Sequence, residues 1–489
     1  MTDAALAYPG HGSKTYRAYA LGVLLVVYTF NFIDRSLIGV VQEAVKKDLQ
    51  IGDFELGLLG GPAFAILYGL MGIPIARYAE RHNRITIIAL GAAVWSAMTA
   101  LSGFAGNFLQ LALARIGVGI GEAACTPPSH SVISDYFPAQ RRASALSIWG
   151  LGIPIGTMLA AVGGAWFVAT VGWRWAFWLL GAPGLIAALV LKLTVREPPR
   201  AGAAGQAPSF SETLGAIARK ASFWHMAAGG ALMALVGYST AQFLISYFAR
   251  VFLELGPEIE DRYLPASLAF GAIAGFAVTA GTFLGGFASD RLSHRHPRVY
   301  SWLPTIGVLV ALPLYLLSFL QTSFWPAFAI LMVAPIFHYL YLGPGFAVVQ
   351  SIALPRMRAT STAILLLIVN LIGYGLGPPI MGALSDYFAN QALAPDGLST
   401  GACAQMLADA RGTAIPNKDL WAALMSWLGG EPLPPAPRIS IPEGAQLSTC
   451  APAVAHGLKY AMMCVVAILP WPALHFWLAG RTLLKDRVS

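Results

Sequence analysis

Apolar residues in this chain come in long unbroken runs, without the one-faced or alternating patterns of a soluble domain. A run of about 18 apolar residues or more reads as a membrane-crossing helix, because about 20 residues span the hydrocarbon core. Twelve such stretches are read, at roughly 18–42, 53–78, 85–104, 107–136, 141–170, 173–195, 223–252, 264–289, 298–320, 323–353, 358–388 and 454–480. The pattern predicts an all-α integral membrane protein with twelve transmembrane helices. Composition points the same way: 57% of the 489 residues are hydrophobic and 11% are charged, whereas a soluble domain carries roughly 25% charged residues. The N-terminal "MTDAALAYPGHGSKTYRAYA" lacks a compact signal-peptide layout and is read as a tail, 1–17, leading into the first span.

A net charge of +8 raises the question of nucleic acid, but the placement of the charges answers it. Lys14 and Arg17 precede span 1, Arg77, Arg81 and Arg84 follow span 2, and Arg141 and Arg142 follow span 4. Arg196, Arg200, Arg219 and Lys220 fill the central loop. Arg291, Arg295 and Arg298 follow span 8, Arg356 and Arg358 follow span 10, and Arg481, Lys485 and Arg487 close the chain. Every second loop is basic, and the opposite loops balance theirs with acids, as in "LELGPEIEDR". By the positive-inside rule both termini are expected in the cytoplasm of a multi-pass protein of the inner (plasma) membrane. The surplus is a topology signal and calls for no nucleic acid.

Two copies of one pattern lie about 210 residues apart. After span 2 comes "GIPIARYAERHNR", and after span 8 comes "GGFASDRLSHRHPR". Each sets an acid–arginine pair (Glu80-Arg81, Asp290-Arg291) beyond a Gly/Ala-rich helix end. "PAQRRASA" before span 5 matches "PRMRATSTA" before span 11, and those spans carry "GLGIPIG" and "GYGLGPP". The chain therefore reads as two pseudo-symmetric six-helix bundles, 18–195 and 222–480, joined by a cytoplasmic loop at 196–221, with a short tail at 481–489. Parallel repeats of this kind are a transporter architecture with its substrate site near the midplane.

The acid–Arg-x-x-Arg loops resemble the signature of the major facilitator superfamily. "NFIDRSLIGV", "ARIGVGIGEAACTPPSHSVISDYFPAQRRASALSI" and "ERHNR" are similar to its spinster branch. The first loop departs from the superfamily pattern at Glu80, Ala76 and Asn83, of which Asn83 fits the spinster form. The resemblance implies alternating access and a lysophospholipid or sphingosine-phosphate-like substrate. It also implies a cytoplasmic gate of Glu80, Arg81, Arg84, Asp290 and Arg291 that closes the outward-facing state. A monomer is expected, surrounded by membrane lipids.

The segment 389–453 is long for a loop. It holds an amphipathic stretch, "KDLWAALMSWLGG", and two of the four cysteines, Cys403 and Cys450, bracket it. On the outer side these are a candidate disulfide. Cys125 and Cys464 lie inside spans and are expected to be small buried residues.

Charge inside the membrane is costly, about 2.5–3.5 kcal/mol per group even on the lenient scale. Few residues incur it: Asp34 and Arg35 in span 1, Arg115 and Glu122 in span 4. Asp34 lies about 25 Å along an outward-running helix from Arg17, and Arg115 about 12 Å from the outer end of span 4. Those heights coincide, so Asp34 is expected to pair with Arg115. Glu122, two turns further, shares nearly the same face about 10 Å deeper. Arg35 points about 100° away from Asp34. Burial disfavours a charged carboxylate and a nearby arginine favours it. Asp34, Glu122 and Arg115 thus form a candidate proton-coupling set, with Arg115 able to pass from carboxylate to an anionic headgroup and Arg35 in support. A static pair holding spans 1 and 4 together is the plainer alternative.

The second half carries no such charges near its midplane. Its candidate substrate-binding residues are Tyr238, Thr240, Gln242, His338, Tyr339, Tyr341, Asn370 and Tyr374, added to Arg35, Arg115 and Glu122 of the first half; packing alone would also account for any one of the eight. Charge in one half against an aromatic and apolar wall in the other suits an amphiphile. Prolines at 127-128, 154, 344 and 378-379 mark expected kinks. "GVGIGE" lacks dinucleotide-binding spacing, "GHGSKT" lacks that of a phosphate-binding loop, and "HRH" at 294–296 sits in a basic loop. No ATP site, cofactor, metal or enzymatic nucleophile is expected. The sequence-level reading is a proton-coupled lipid transporter; an uncoupled facilitator, a multidrug exporter and a lipid-sensing receptor without flux are its rivals.

Overall fold

The computed structural model of the chain describes residues 11–199, 210–252, 260–354, 357–410 and 447–487. The amphipathic stretch at 418–430 and the side chain of Glu80 lie outside the described residues. Among the described residues there is no strand. Twelve helices among the described residues are long and apolar enough to cross a membrane: Lys14–Leu49, Asp53–Ala79, Arg84–Ser102, Phe108–Tyr136, Ala145–Thr170 and Trp173–Thr194, then Ala221–Phe252, Leu264–Ser293, Val299–Phe319, Phe324–Ile352, Thr360–Asp396 and Cys450–Asp486. They are called spans 1 to 12 in that order.

Several spans are interrupted, in spans 4 and 11 beside prolines that remove a backbone donor. In span 4 the helix Phe108–Glu122 stops and a new one begins at Thr126. Pro127 and Pro128 have no N–H to give to the preceding turn, and the chain tightens through Ala124 N to Gly121 O (3.1 Å) and Cys125 N to Glu122 O (3.0 Å). Span 11 carries a π-helical turn at Asn370–Tyr374 just ahead of Pro378 and Pro379. Span 8 has a second one at Ile273–Ala277, and span 10 narrows to a 3-10 turn at Tyr339–Tyr341. Such irregular turns inside helices are frequent at functional sites.

The chain packs as two units. The first comprises Met1–Ala44 and Ala63–Gly205; the second comprises Val45–Pro62 and Gln206–Ser489. Sequence order places 45–62 in the first bundle, but packing places it in the second. Span 1 is also longer than its hydropathy suggests, because polar residues after position 42 continue the helix to Leu49.

In the first unit, Arg84 caps the inner architecture. Its Nε donates to Glu197 (2.6 Å), Nη1 to Asp135 (2.5 Å) and Ser131 (2.7 Å), and Nη2 to the Pro198 carbonyl (3.0 Å). In the second unit, a disulfide joins Cys403 to Cys450, within an apolar cluster that includes Leu393, Leu398 and Ala402. Cys125 is buried, but Cys464 is exposed, because it falls on the outer face of span 12 and not toward a neighbour.

The segment 53–60 meets span 11 by close approach of backbones. A Cβ on Gly382 would stand 2.0 Å from the Asp53 carbonyl oxygen, and one on Gly57 would stand 2.3 Å from that of Pro378. Neither backbone atom can swing aside as a side-chain tip could. Gly382→Ala is therefore expected to lower the unfolding temperature by several degrees, a loss of about 1–3 kcal/mol typical of overpacking. A thermal melt equal to that of the parent protein would show that the two helices are free to separate at that point.

Candidate functional site

The membrane charges of spans 1 and 4 converge in the first unit. Asp34, Arg115 and Glu122 are all fully buried. Arg115 reaches span 1, but its Nη1 donates to the backbone carbonyl of Asp34 at 3.1 Å. The Asp34 carboxylate accepts no hydrogen bond on either oxygen, so Arg115 bears on it as a neighbouring charge and not through a side-chain hydrogen bond. Instead Arg35 forms the inter-span ion pair: its Nη2 lies 2.6 Å and its Nε 3.0 Å from Glu122 Oε2. The sequence argument assigned adjacent residues to separate partners, which holds. It named no partner for Arg35 or for Glu122, and the structure pairs them with each other.

Aromatic faces hold Arg35 in place. Its guanidinium carbon lies 4.8 Å from the Phe32 ring centre, 4.9 Å from Phe64 and 5.0 Å from Tyr68. Phe64 also lies 5.6 Å from Arg115. The approach of Phe64 depends on Gly119, where a Cβ would meet the Phe64 carbonyl oxygen at 2.5 Å. Ring faces are electron-rich and attract a cation that has lost part of its water. Arg35 retains 17% side-chain exposure, whereas its partner Glu122 has none.

Three buried groups join this set that the sequence reading did not select: Asn31, Thr99 and Tyr28. Asn31 lies near Glu122 and Thr99 near Asp34, with no hydrogen bond to the side-chain polar atoms of either, while Tyr28 stacks on Trp149 with ring centres 3.6 Å apart. Asn31 lies three residues before Asp34, on the same helix face, a spacing visible in "NFIDR". Thr99 carried no signal, since a threonine in a span most often bonds its own helix. The result is a buried cluster with one ion pair, one carboxylate that is not hydrogen-bonded, and an arginine whose charge bears on both carboxylates. Buried polar groups are ordinarily satisfied. A carboxylate held this way favours whichever state supplies a proton or a cation.

The residues expected to form a cytoplasmic gate are placed differently from one another. Arg84 is buried in its network with Asp135 and Glu197, neither of which the sequence reading assigned to the gate. Arg81 and Arg291 are exposed. Asp290 accepts from the Tyr300 hydroxyl at 3.0 Å.

In the second unit the candidates fall into two clusters and two separate positions. The Tyr238 hydroxyl donates to Asn370 Oδ1 (3.2 Å), and Tyr238 and Tyr374 have ring centres 4.5 Å apart, at the π-helical turn of span 11. His338 is fully buried; its Nε2 donates to the Met233 carbonyl (3.2 Å), and its ring lies 4.8 Å from Tyr339 and 6.2 Å from Tyr341. Thr240 is buried with no partner for its hydroxyl. Gln242 packs where a Cβ on Gly60 would stand. A small apolar cavity opens among Met226, Gly230, Tyr341, Leu365, Val369 and Phe476.

Comparison with known proteins places this arrangement. Residues 24–378 match the model of the Major Facilitator Superfamily. A protein of Mycolicibacterium smegmatis named "MFS-type efflux pump" is 34% identical over 380 residues, covering 77% of this chain and 86% of its own. Human "Protein spinster homolog 1" is 30% identical over 393 residues, covering 76% of this chain and 73% of its own. A crystal structure of a bacterial homolog to the human lysosomal transporter spinster, inward-facing and unoccupied, is 36% identical. It superimposes with a TM-score of 0.80, covering 98% of this chain and 100% of that one. With its twelve spans and this buried charge network, the chain belongs to the Major Facilitator Superfamily and is a transporter of the spinster type, not an enzyme.

Proposed function

We propose that this protein is a proton-coupled secondary transporter of amphiphilic lipids with an anionic or zwitterionic head. The observation that carries the reading is the Asp34 carboxylate, fully buried and without a hydrogen bond, beside the Arg35–Glu122 pair and Arg115. A group in that setting is uncomfortable as an isolated charge. Protonation relieves it, and the proton leaves again when the pocket opens to water. Arg115 and Arg35 supply fixed positive charge for a phosphate or carboxylate headgroup. A lysophospholipid or a sphingosine phosphate carries such a headgroup. Kinship with proteins named spinster supports a transporter of that branch, which the sequence resemblance ties to lysophospholipids and sphingosine phosphates.

The test is flux in proteoliposomes loaded with fluorescent lysophosphatidylcholine, measured with and without a pH gradient. A gradient-dependent rate is the expected result. Equal rates in both conditions would leave an uncoupled facilitator, and saturable binding without flux would leave a receptor. A second reading, export of amphiphilic drugs, is favoured by the mycobacterial relative's name. Ethidium flux exceeding lysolipid flux in the same vesicles would select it.

A further inference from the structure

Two histidines meet ring to ring in the second unit, outside every cluster described above. His225 of span 7 and His475 of span 12 bring their Nδ1 atoms to 3.0 Å, across 250 residues of chain. Both belong to the second unit, and both are half-buried. A neutral imidazole carries one N–H and one lone pair. In this contact one Nδ1 holds a proton, and the other aims its lone pair into the gap between the helices.

Span 7 is pinned to span 12 on both sides of His225. Before it, the Ser222 and Thr482 hydroxyls are 2.8 Å apart, and Ser222 N donates to Asp486 Oδ2 at 2.8 Å. Lys220 Nζ adds a bond to the Asp486 carbonyl at 2.9 Å. After it, the Phe476 ring lies against Gly229, where a Cβ would stand 2.7 Å from the ring. Two imidazoles presented by helices fixed in this way have little freedom left to lose when a ligand joins them.

The dimensions suit a metal ion. A zinc–imidazole bond is about 2.0–2.1 Å long, which sets two ligand nitrogens about 2.9 Å apart at a right angle and about 3.3 Å apart at the tetrahedral angle. The observed 3.0 Å lies between these values. The ring centres are 5.3 Å apart, close to the ~5 Å of two imidazoles on one tetrahedral ion. The rings therefore need to tilt in place, and the helices need not move. Imidazole nitrogen suits zinc, copper and nickel, whereas magnesium and calcium prefer oxygen. Among the described residues no group of three His, Cys, Asp or Glu is arranged to hold a metal, so the other coordination positions are open to water. The sequence reading expected no metal, because two histidines 250 residues apart form no motif.

We infer that His225 and His475 form a two-histidine site for a borderline transition-metal ion, represented by Zn2+, which bridges spans 7 and 12 through both Nδ1 atoms. On binding, the Nδ1 proton moves to Nε2 of the same ring, leaving both Nδ1 lone pairs to the metal. The site stands apart from the substrate and coupling readings and depends on neither.

The test is titration of the full chain, purified without a histidine tag, with Zn2+ by calorimetry and with Cu2+ by electron paramagnetic resonance. His294→Ala/His296→Ala, which removes the histidines of the basic loop, serves as the control. One ion per chain is expected in the parent and in this control, whose Cu2+ spectrum should show two coordinated imidazole nitrogens. His225→Asn and His475→Asn each keep a side chain able to hydrogen-bond, and each should weaken Zn2+ binding at least tenfold. Metal-free unfolding temperatures equal to the parent's confirm that these variants are folded. Should either fail to fold, the control's Cu2+ spectrum decides, and fewer than two imidazole nitrogens overturns the site. No Zn2+ uptake by the parent, uptake lost with the loop histidines, or uptake that both asparagine variants retain also overturns it, leaving a plain hydrogen bond between two histidines.

Discussion

Asp34→Asn is expected to abolish accumulation of substrate against its gradient while leaving downhill exchange in place. One pH unit is worth about 1.4 kcal/mol per proton, so a carrier that moves one proton per substrate concentrates it about tenfold for each unit of gradient. The Asp34→Asn protein, having no carboxylate to load and unload there, should bring that ratio to about one. Asparagine has nearly the same volume, and Asp34 makes no side-chain hydrogen bond that the amide would break. The effect on folding should therefore be small, and the unfolding temperature is the control. The measurement is internal against external lysophosphatidylcholine at steady state, over imposed gradients of one and two pH units. A ratio that still rises with the gradient would move coupling to Glu122 or remove it from this pocket altogether.

The second large effect concerns Arg35 and Glu122. Glu122 is fully buried and its bonded oxygen depends on Arg35, so Arg35→Met leaves a carboxylate stranded. Removing one partner of a buried pair typically costs about 3–5 kcal/mol, much of it the penalty on the charge that remains. Glu122→Gln should cost less, because Arg35 keeps some exposure and the faces of Phe32, Phe64 and Tyr68. The double change Arg35→Met/Glu122→Gln should be milder than Arg35→Met alone. Reversible unfolding in detergent closes this cycle, and the interaction energy should fall within about 1–3 kcal/mol. Strict additivity of the two changes would mean that the pair is not formed in the membrane protein's resting state. The result also separates anchoring from transport. If the double variant is stable and still moves lysolipid, Arg35 and Glu122 hold spans 1 and 4 together and do little else.

Legibility differed sharply between these features. Asp34, Arg35, Arg115 and Glu122 stood out because charge inside an apolar run is rare, and the rise per residue put them at matching depth. Which of them bond could not be read the same way. Depth along a helix follows from counting, but rotation and tilt follow from what the helix packs on. Gly119, by admitting the backbone of Phe64, helps decide where the arginines lie. Asn31 and Thr99 escaped notice because a neutral polar side chain within a span has an ordinary explanation in its own helix. His225 and His475 lie in different spans, and nothing in their spacing of 250 residues hints that they meet.

By itself the sequence determined twelve membrane-crossing helices, the two-fold repeat, the family and the four charged positions inside spans 1 and 4. Each of these rests on a local or periodic property: hydropathy over about 20 residues, a motif, or the rise of a helix. The tertiary structure alone decided that Arg35 pairs with Glu122, that Arg115 donates to the backbone carbonyl of Asp34, and that 45–62 packs with the second unit. Those outcomes depend on contacts between segments distant in the chain. They are set by helix rotation, side-chain reach and backbone approach at glycine, none of which a one-dimensional pattern records.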